Sequence, residues 1–118
     1  MELTKAEEQI MQVLWKLKRG VVHDIIAELP DPKPAYTTVS TLIRILEKKG
    51  FVDHKAYGKT YEYFPKISRK KYSGKIADRF LQGYFDGSTQ SLVSFFVKEK
   101  KLSTKELEEI LKQLKSDS

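Results

Sequence analysis

The 118-residue sequence has no cysteine, which removes disulfides, thiolate metal sites and a cysteine nucleophile from consideration. Histidine is scarce as well. His23 and His54 fall in different predicted elements, with no cluster of carboxylates beside them, so no catalytic residue, metal ligand or cofactor is expected. No apolar run approaches the roughly 18 residues of a membrane span, and the N-terminal stretch interleaves Glu2, Lys5, Glu7 and Glu8 with its apolar residues, unlike a signal peptide. The expectation is a soluble, cytoplasmic protein without direct membrane binding. Proline is rare, yet three of the four prolines (Pro30, Pro32 and Pro34) stand together, marking one stiff connection. With 40% hydrophobic residues the chain can build a modest core, enough for one domain or a small domain with an appendage, but not a large enzyme cleft.

What is present is positive charge, and it is unevenly placed. Residues 1–32 carry four basic against six acidic side chains, residues 33–79 twelve against four, and residues 80–118 six against six. The whole net charge of +6 therefore arises from the middle segment, the footprint of a polyanion binder.

That segment contains AYTTVSTLIRILEKKGFVDHKAYGKTYEYFP, residues 35–65. Thr37 is a good N-cap, and Val39, Leu42, Ile43 and Leu46 make an apolar stripe along a helix that ends before Gly50. Opposite the stripe lie Thr37, Thr38, Ser40, Thr41 and Arg44, with Lys48 and Lys49 at the C-terminal end, a face suited to a DNA major groove. Residues 51–55 and 60–64 then read as two strands around a turn at Gly58, with Lys55, Tyr57 and Lys59 near the tip of a basic wing. The aromatics Tyr61, Tyr63 and Phe64 read as ordinary strand residues that pack the sheet; Tyr57 is the exception.

Upstream, Thr4 and Glu7 form a capping box before Ile10, Val13, Leu14 and Leu17, an amphipathic first helix, and Trp15 is expected to pack against a neighbouring element. Val21 and Val22 read as a very short strand, followed by a second helix over 23–29 that the prolines stop. The order helix, short strand, helix, turn, helix, strand, turn, strand is that of a winged helix-turn-helix, expected over residues 1–66.

Residues 67–118 read as a helical dimerisation region. Ser68 caps a long helix bearing Tyr72, Ile76 and Phe80; its first-turn Arg69, Lys70 and Lys71 are either a solvated charged turn or phosphate contacts. Ser88 caps a second helix, in which Leu92, Val93, Phe95, Phe96 and Val97 exceed a single stripe and demand burial on more than one side. Ser103 and Glu106 open a third, with Leu107, Ile110, Leu111 and Leu114 at helical spacing; Glu106, Glu108 and Glu109 suit the dipole at its start. Three such helices make a poor core alone, so pairing with a second copy is expected. The fold class is thus mostly α with a small β-wing.

On the residues LTKAEEQIMQVLW (3–15), YTTVSTLIRILEKKGFV (36–52), GKTYEYFP (58–65) and SLVSFFVKEKKLSTKELEEI (91–110), the sequence resembles the BlaI/MecI penicillinase-repressor family over essentially its whole length. The resemblance implies a transcriptional repressor, not an enzyme, that binds inverted-repeat operators in double-stranded DNA as a homodimer. It also implies relief of repression when a membrane-bound sensor protease system triggers cleavage in the dimerisation region. The family's cleaved Asn-Phe bond corresponds here to Phe95-Phe96, which has no Asn, and the paired C-terminal cysteines of the copper-responsive branch are missing. The alternative reading is a winged-helix protein-interaction module without sequence-specific DNA binding; the charge of residues 33–79 argues against it.

Overall fold

The computed structural model describes residues 3–99 and 103–116, with side chains given to residue 113. The described elements run α1 (Lys5–Leu17), α2 (Val22–Glu28), α3 (Tyr36–Lys48), β1 (Val52–Tyr57), β2 (Thr60–Pro65), α4 (Arg69–Phe85), α5 (Thr89–Glu99) and α6 (Thr104–Ser116). They divide into two compact units, residues 1–73 and 74–118. Among the described residues no helix is long and apolar enough to cross a membrane.

In the N-terminal unit, α1 begins as its capping box requires. The Glu7 backbone N–H donates to Thr4 Oγ1 at 3.2 Å, and the Thr4 N–H donates to Glu7 Oε1 at 2.7 Å. Glu7 itself is only 2% exposed, and the Lys49 ammonium, at the end of α3, donates to its two oxygens at 2.9 and 3.0 Å. This ion pair joins helices forty-two residues apart in sequence. Ile10, Met11 and Leu14 of α1, Ile25 of α2, Val39, Ile43 and Leu46 of α3 and Val52 of β1 are fully buried in one core.

The strand expected at Val21-Val22 does not form. The Asp24 carboxylate takes the Val21 N–H at 3.2 Å and turns the chain into α2 at once, so the extended pairing shrinks to a single bridge at Gly20. There the Gly20 N–H donates to the Tyr63 carbonyl at 2.9 Å and the Tyr63 N–H to the Gly20 carbonyl at 2.8 Å, fastening the wing to the helices. Lys33, inside the proline-rich connection, donates to the Ala27 and Leu29 carbonyls and so closes the end of α2.

Nor is Thr37 the cap of α3. The helix starts at Tyr36, with extended Ala35 as its N-cap and no side-chain hydrogen bond; the Ala35 carbonyl accepts the Val39 N–H at 3.1 Å. The extended path set by the prolines runs straight into the first turn, which leaves Thr37 inside the helix. The C-terminal end follows the sequence: Gly50 takes φ 87°, its N–H donates to the Glu47 carbonyl, and the Phe51 N–H donates to the Leu46 carbonyl, a Schellman motif. That reversal feeds directly into β1.

β1 and β2 pair antiparallel from Val52 opposite Pro65 to Tyr57 opposite Thr60. After them Trp15 packs as anticipated: its Nε1–H donates to the Ile67 carbonyl at 2.8 Å, and its ring lies 5.6 Å from that of Tyr72. Tyr72 also meets Phe51 edge-on and is 5% exposed. A residue read as part of the dimerisation face is therefore core of the N-terminal unit, because the first turn of α4 returns to cover Trp15 and Phe51.

In the C-terminal unit the Ser88 and Ser103 hydroxyls accept the Ser91 and Glu106 N–H groups at 3.1 Å each, capping α5 and α6 as the sequence indicates. An aromatic chain runs from Tyr84 through Phe80, Phe85 and Phe95 to Phe96, with neighbouring ring centroids 5.2 to 5.9 Å apart. Within the single chain no residue of α5 is buried: Leu92 and Val93 are half-buried, and Phe95, Phe96 and Val97 are exposed. Ile76, Phe80, Ile110 and Leu111 are likewise exposed and Leu107 half-buried, while the side chain of Leu114 lies outside the described residues.

The Glu7–Lys49 pair generates a stability prediction. Burial works against the charged carboxylate, but the Thr4 backbone N–H and the Lys49 ammonium outweigh it and hold the Glu7 pKa below its ordinary 4.5. A depressed native pKa contributes stability that is complete above about pH 4.5 and is lost as pH falls through the native value. Urea unfolding against pH should therefore show an acid limb that Glu7→Gln flattens. At pH 7, Lys49→Met should cost about 3 kcal/mol, the low end for breaking a buried pair because the Lys49 side chain is 24% exposed, since it leaves a buried carboxylate without its cation.

Candidate nucleic-acid interface

Burying Val39, Ile43 and Leu46 settles which side of α3 reaches solvent. Thr37, Thr38, Thr41, Arg44, Ile45 and Lys48 are exposed, and Ser40 is half-buried at the margin. Thr37, Thr38 and Thr41 line one shallow concavity with Leu42. Six side chains on this face carry a hydroxyl or a cation, so the helix can approach a polar, negatively charged surface closely; Ile45, 39% exposed, offers an apolar contact among them.

The hairpin turn is Gly58-Lys59, with φ 62° at Gly58 and no positive φ at Lys59, the backbone pattern of a type II′ turn. Strand alternation then sorts the wing's side chains. His54, Tyr61 and Tyr63 stack together on the side toward α3, with His54 and Tyr61 centroids 4.2 Å apart and nearly parallel. Lys55 and Tyr57 lie on the opposite side, with Glu62 and Phe64, above Leu17, Lys18 and Arg19. The Lys55 ammonium sits 5.7 Å from the centre of the Tyr57 ring.

A polar groove of about 290 Å³ separates α3 from the wing; Ser40 and Arg44 face Lys59, Thr60 and Tyr61 across it, and Tyr36 lies at one end. Of the residues named from sequence, the structure brings Ser40, Arg44 and Lys59 to this groove, and it keeps Thr37, Thr38, Thr41 and Lys48 on the neighbouring exposed face of α3. It does not join Lys55 and Tyr57 to them, because a period of two sends alternate wing residues to opposite faces. The Tyr63 phenol, buried under the groove, is pushed above its ordinary pKa by burial and by the nearby Glu47 carboxylate, with Arg44 opposing, so it stays neutral at physiological pH.

Three features escape the sequence reading. Tyr36, 49% exposed, and His23 pair their rings 5.0 Å apart at the groove's end, a contact between α2 and α3 across the proline connection. Tyr61, read as ordinary strand packing, is 47% exposed and lines the groove. His54, read as having no carboxylate cluster beside it, meets two carboxylates: its Nδ1 contacts Glu47, and Asp53 stands within reach of both. Period-two alternation could have placed Tyr61; nothing in local spacing announces Glu47 beside His54.

Comparison with known proteins fits this geometry. The penicillinase repressor family matches residues 3–116. The methicillin resistance regulatory protein MecI of Staphylococcus aureus (strain N315) is 33% identical over 110 residues, covering 92% of this chain and 89% of its own. The penicillinase repressor of Bacillus licheniformis is 28% identical over the same length, covering 92% and 86%. Among solved structures, Bordetella bronchiseptica BpsR, described for regulation of its DNA binding by 6-hydroxynicotinic acid, aligns over 98% of this chain and 76% of its own at 16% identity, with a TM-score of 0.50, a likeness of fold. With its helix-turn-helix, wing and whole-length match, the chain belongs to the penicillinase repressor family of DNA-binding transcriptional repressors, which are not enzymes.

Proposed function

We propose that the chain is a homodimeric repressor that recognises an inverted-repeat operator in double-stranded DNA by laying the exposed face of α3 in the major groove. The observation that carries this reading is the groove itself: Arg44 on α3 and Lys59 on the wing turn line one polar concavity, within the segment that holds the chain's positive excess. Arg44 reads base edges, Thr37, Thr38, Ser40 and Thr41 share the groove face, and Lys48 and Lys59 hold phosphates. Lys55 and Tyr57, on the outer side of the wing, meet the backbone beyond it. The alternation of the strands supports this division of labour, since it lets one hairpin face a groove with one row of side chains and a phosphate strand with the other.

Dimerisation supplies the second half-site. Ile76, Phe80, Leu92, Phe95, Phe96, Leu107, Ile110, Leu111 and Leu114 are the pairing residues, and the exposure of Phe80, Phe95, Ile110 and Leu111 in the single chain supports this, because so much apolar surface is seldom left in water. A two-fold pair presents two copies of α3 to a palindrome. Repression ends when the pair is broken. The route implied by the family is cleavage in α5 under a membrane-bound sensor protease, with Phe95-Phe96 standing where the family has its Asn-Phe bond; such a cut turns a bivalent ligand into two weak ones.

Three outcomes are expected. Arg44→Ala weakens operator binding by about 1–3 kcal/mol while changing binding to unrelated DNA far less; an equal loss on both, in gel-shift titrations, makes Arg44 a phosphate contact. In sedimentation the full-length protein is a dimer at micromolar concentration, and a chain ending at Ser73, which retains Tyr72 in its core, is a monomer; a monomeric full-length protein disproves the pairing. During induction in the native host, an immunoblot shows the full-length chain shortened as operator occupancy falls. Loss of occupancy with the chain intact rules out cleavage.

A further inference from the structure

We propose that Glu47, Asp53 and His54 form a binding site for a divalent metal ion of the borderline class, typified by Zn²⁺, at the junction of the recognition helix and the wing. Glu47 lies in the last turn of α3; Asp53 and His54 begin β1, on the far side of the Schellman reversal. One potential ligand atom from each residue lies within 4.8 Å of the other two. Ligands around a single ion at ~2.0–2.2 Å stand roughly 3.3–3.6 Å apart, so side-chain rotations must draw the three groups together on the ion.

Several details make the cluster more than a chance meeting. Successive residues of a strand point to opposite faces, yet the Asp53 Oδ1 accepts the His54 backbone N–H at 2.8 Å, and one oxygen of this carboxylate lies within 4.8 Å of the His54 and Glu47 ligand atoms. The imidazole is held in plane by Tyr61, stacked at 4.2 Å and 18°, with Tyr63 at 5.8 Å, and it directs Nδ1 at Glu47. A ligand ring oriented by its surroundings loses little freedom when it binds. Both Glu47 and His54 keep about 30% of their side-chain surface in water, so an ion can enter without unfolding, and open positions remain for water molecules.

Charge selects the occupant. A divalent ion held by one imidazole and two carboxylates has its charge matched in full by the two carboxylates. Glu47 and Asp53 are two of the four acidic side chains in residues 33–79, so their convergence on one imidazole is not diluted by surrounding acids. The donor set decides the class of ion. Oxygen ligands alone would suit Mg²⁺ or Ca²⁺, thiolates would suit Cu⁺, and one imidazole with two carboxylates suits Zn²⁺, Ni²⁺ or Co²⁺. An ion here ties the last turn of α3 to the first residues of β1.

The test uses untagged full-length protein and Zn²⁺, titrated in competition with a chromophoric chelator in the absence of DNA, so that its outcome is independent of the operator reading. One equivalent of Zn²⁺ per chain is expected. His54→Ala and Glu47→Gln should each weaken binding by at least roughly tenfold, while His23→Ala, which removes the other histidine, should leave it unchanged. Bound Zn²⁺ should also slow amide hydrogen exchange across residues 52–55 in the unmodified protein and not in His54→Ala. These half-exposed positions are not part of the core, and circular dichroism will show whether each variant is folded. The site is disproved if Zn²⁺ does not bind, or if it binds with undiminished affinity to folded His54→Ala.

Discussion

The seating of α3 on Val39, Ile43 and Leu46 is the constraint on which the rest of the N-terminal unit depends. These three side chains are 0–1% exposed, and α3 is the helix that touches α1, α2 and β1 together. Full burial of three such residues is worth about 5–8 kcal/mol, comparable with the whole net stability of a small domain. No polar contact on the surface of α3 can compete with that. The rotation of the helix about its axis, and with it the presentation of Thr37, Thr38, Thr41, Arg44 and Lys48, is set by the core rather than by anything on the exposed side.

Two polar fastenings refine that placement at its ends. Glu7, buried at the start of α1, draws Lys49 to it from the end of α3, so one carboxylate serves a capping box and an interhelical ion pair at once. Buried ion pairs of this kind often add little net stability over an apolar pair of the same shape, but breaking one leaves a buried charge without its partner. The reciprocal Gly20–Tyr63 hydrogen bonds fasten the hairpin. A two-stranded ribbon is marginal in water on its own, and this bridge, with Tyr63 and Val52 in the core, converts it into a wing of defined direction.

The C-terminal unit has the opposite balance. Its caps and periodicity are sound, yet α5 buries nothing fully, and its aromatic chain from Tyr84 to Phe96 stays largely in water. Local helix signals suffice to make helices; they do not by themselves make a core. The packing that completes the first unit within one chain leaves the second with apolar side chains still exposed.

Much of this protein was legible in the residues themselves, where the relevant forces act within about four positions. The Thr4-Glu7 box, the Val39-Ile43-Leu46 stripe, the Gly50 reversal, the Gly58 turn and the serine caps of α5 and α6 all lie where spacing and residue type place them, and the charge excess marked the face that the fold then exposed. The departures share one physical cause. Whether Asp24 would take the Val21 N–H before a strand could form, whether helix α3 would begin at Ala35 or Thr37, and whether Tyr72 would pair with another chain or return to Trp15 and Phe51 depend on which competing contact is nearest. Only the packed chain decides that. The same holds for the site: periodicity selected Arg44, but it could not say that Lys55 and Tyr57 face away from it, nor that Glu47 and His54 meet across the helix–strand reversal. A sequence specifies elements through short-range periodicity; convergence of side chains from different elements is created by the angles at which those elements pack, and those angles exist only in the tertiary structure.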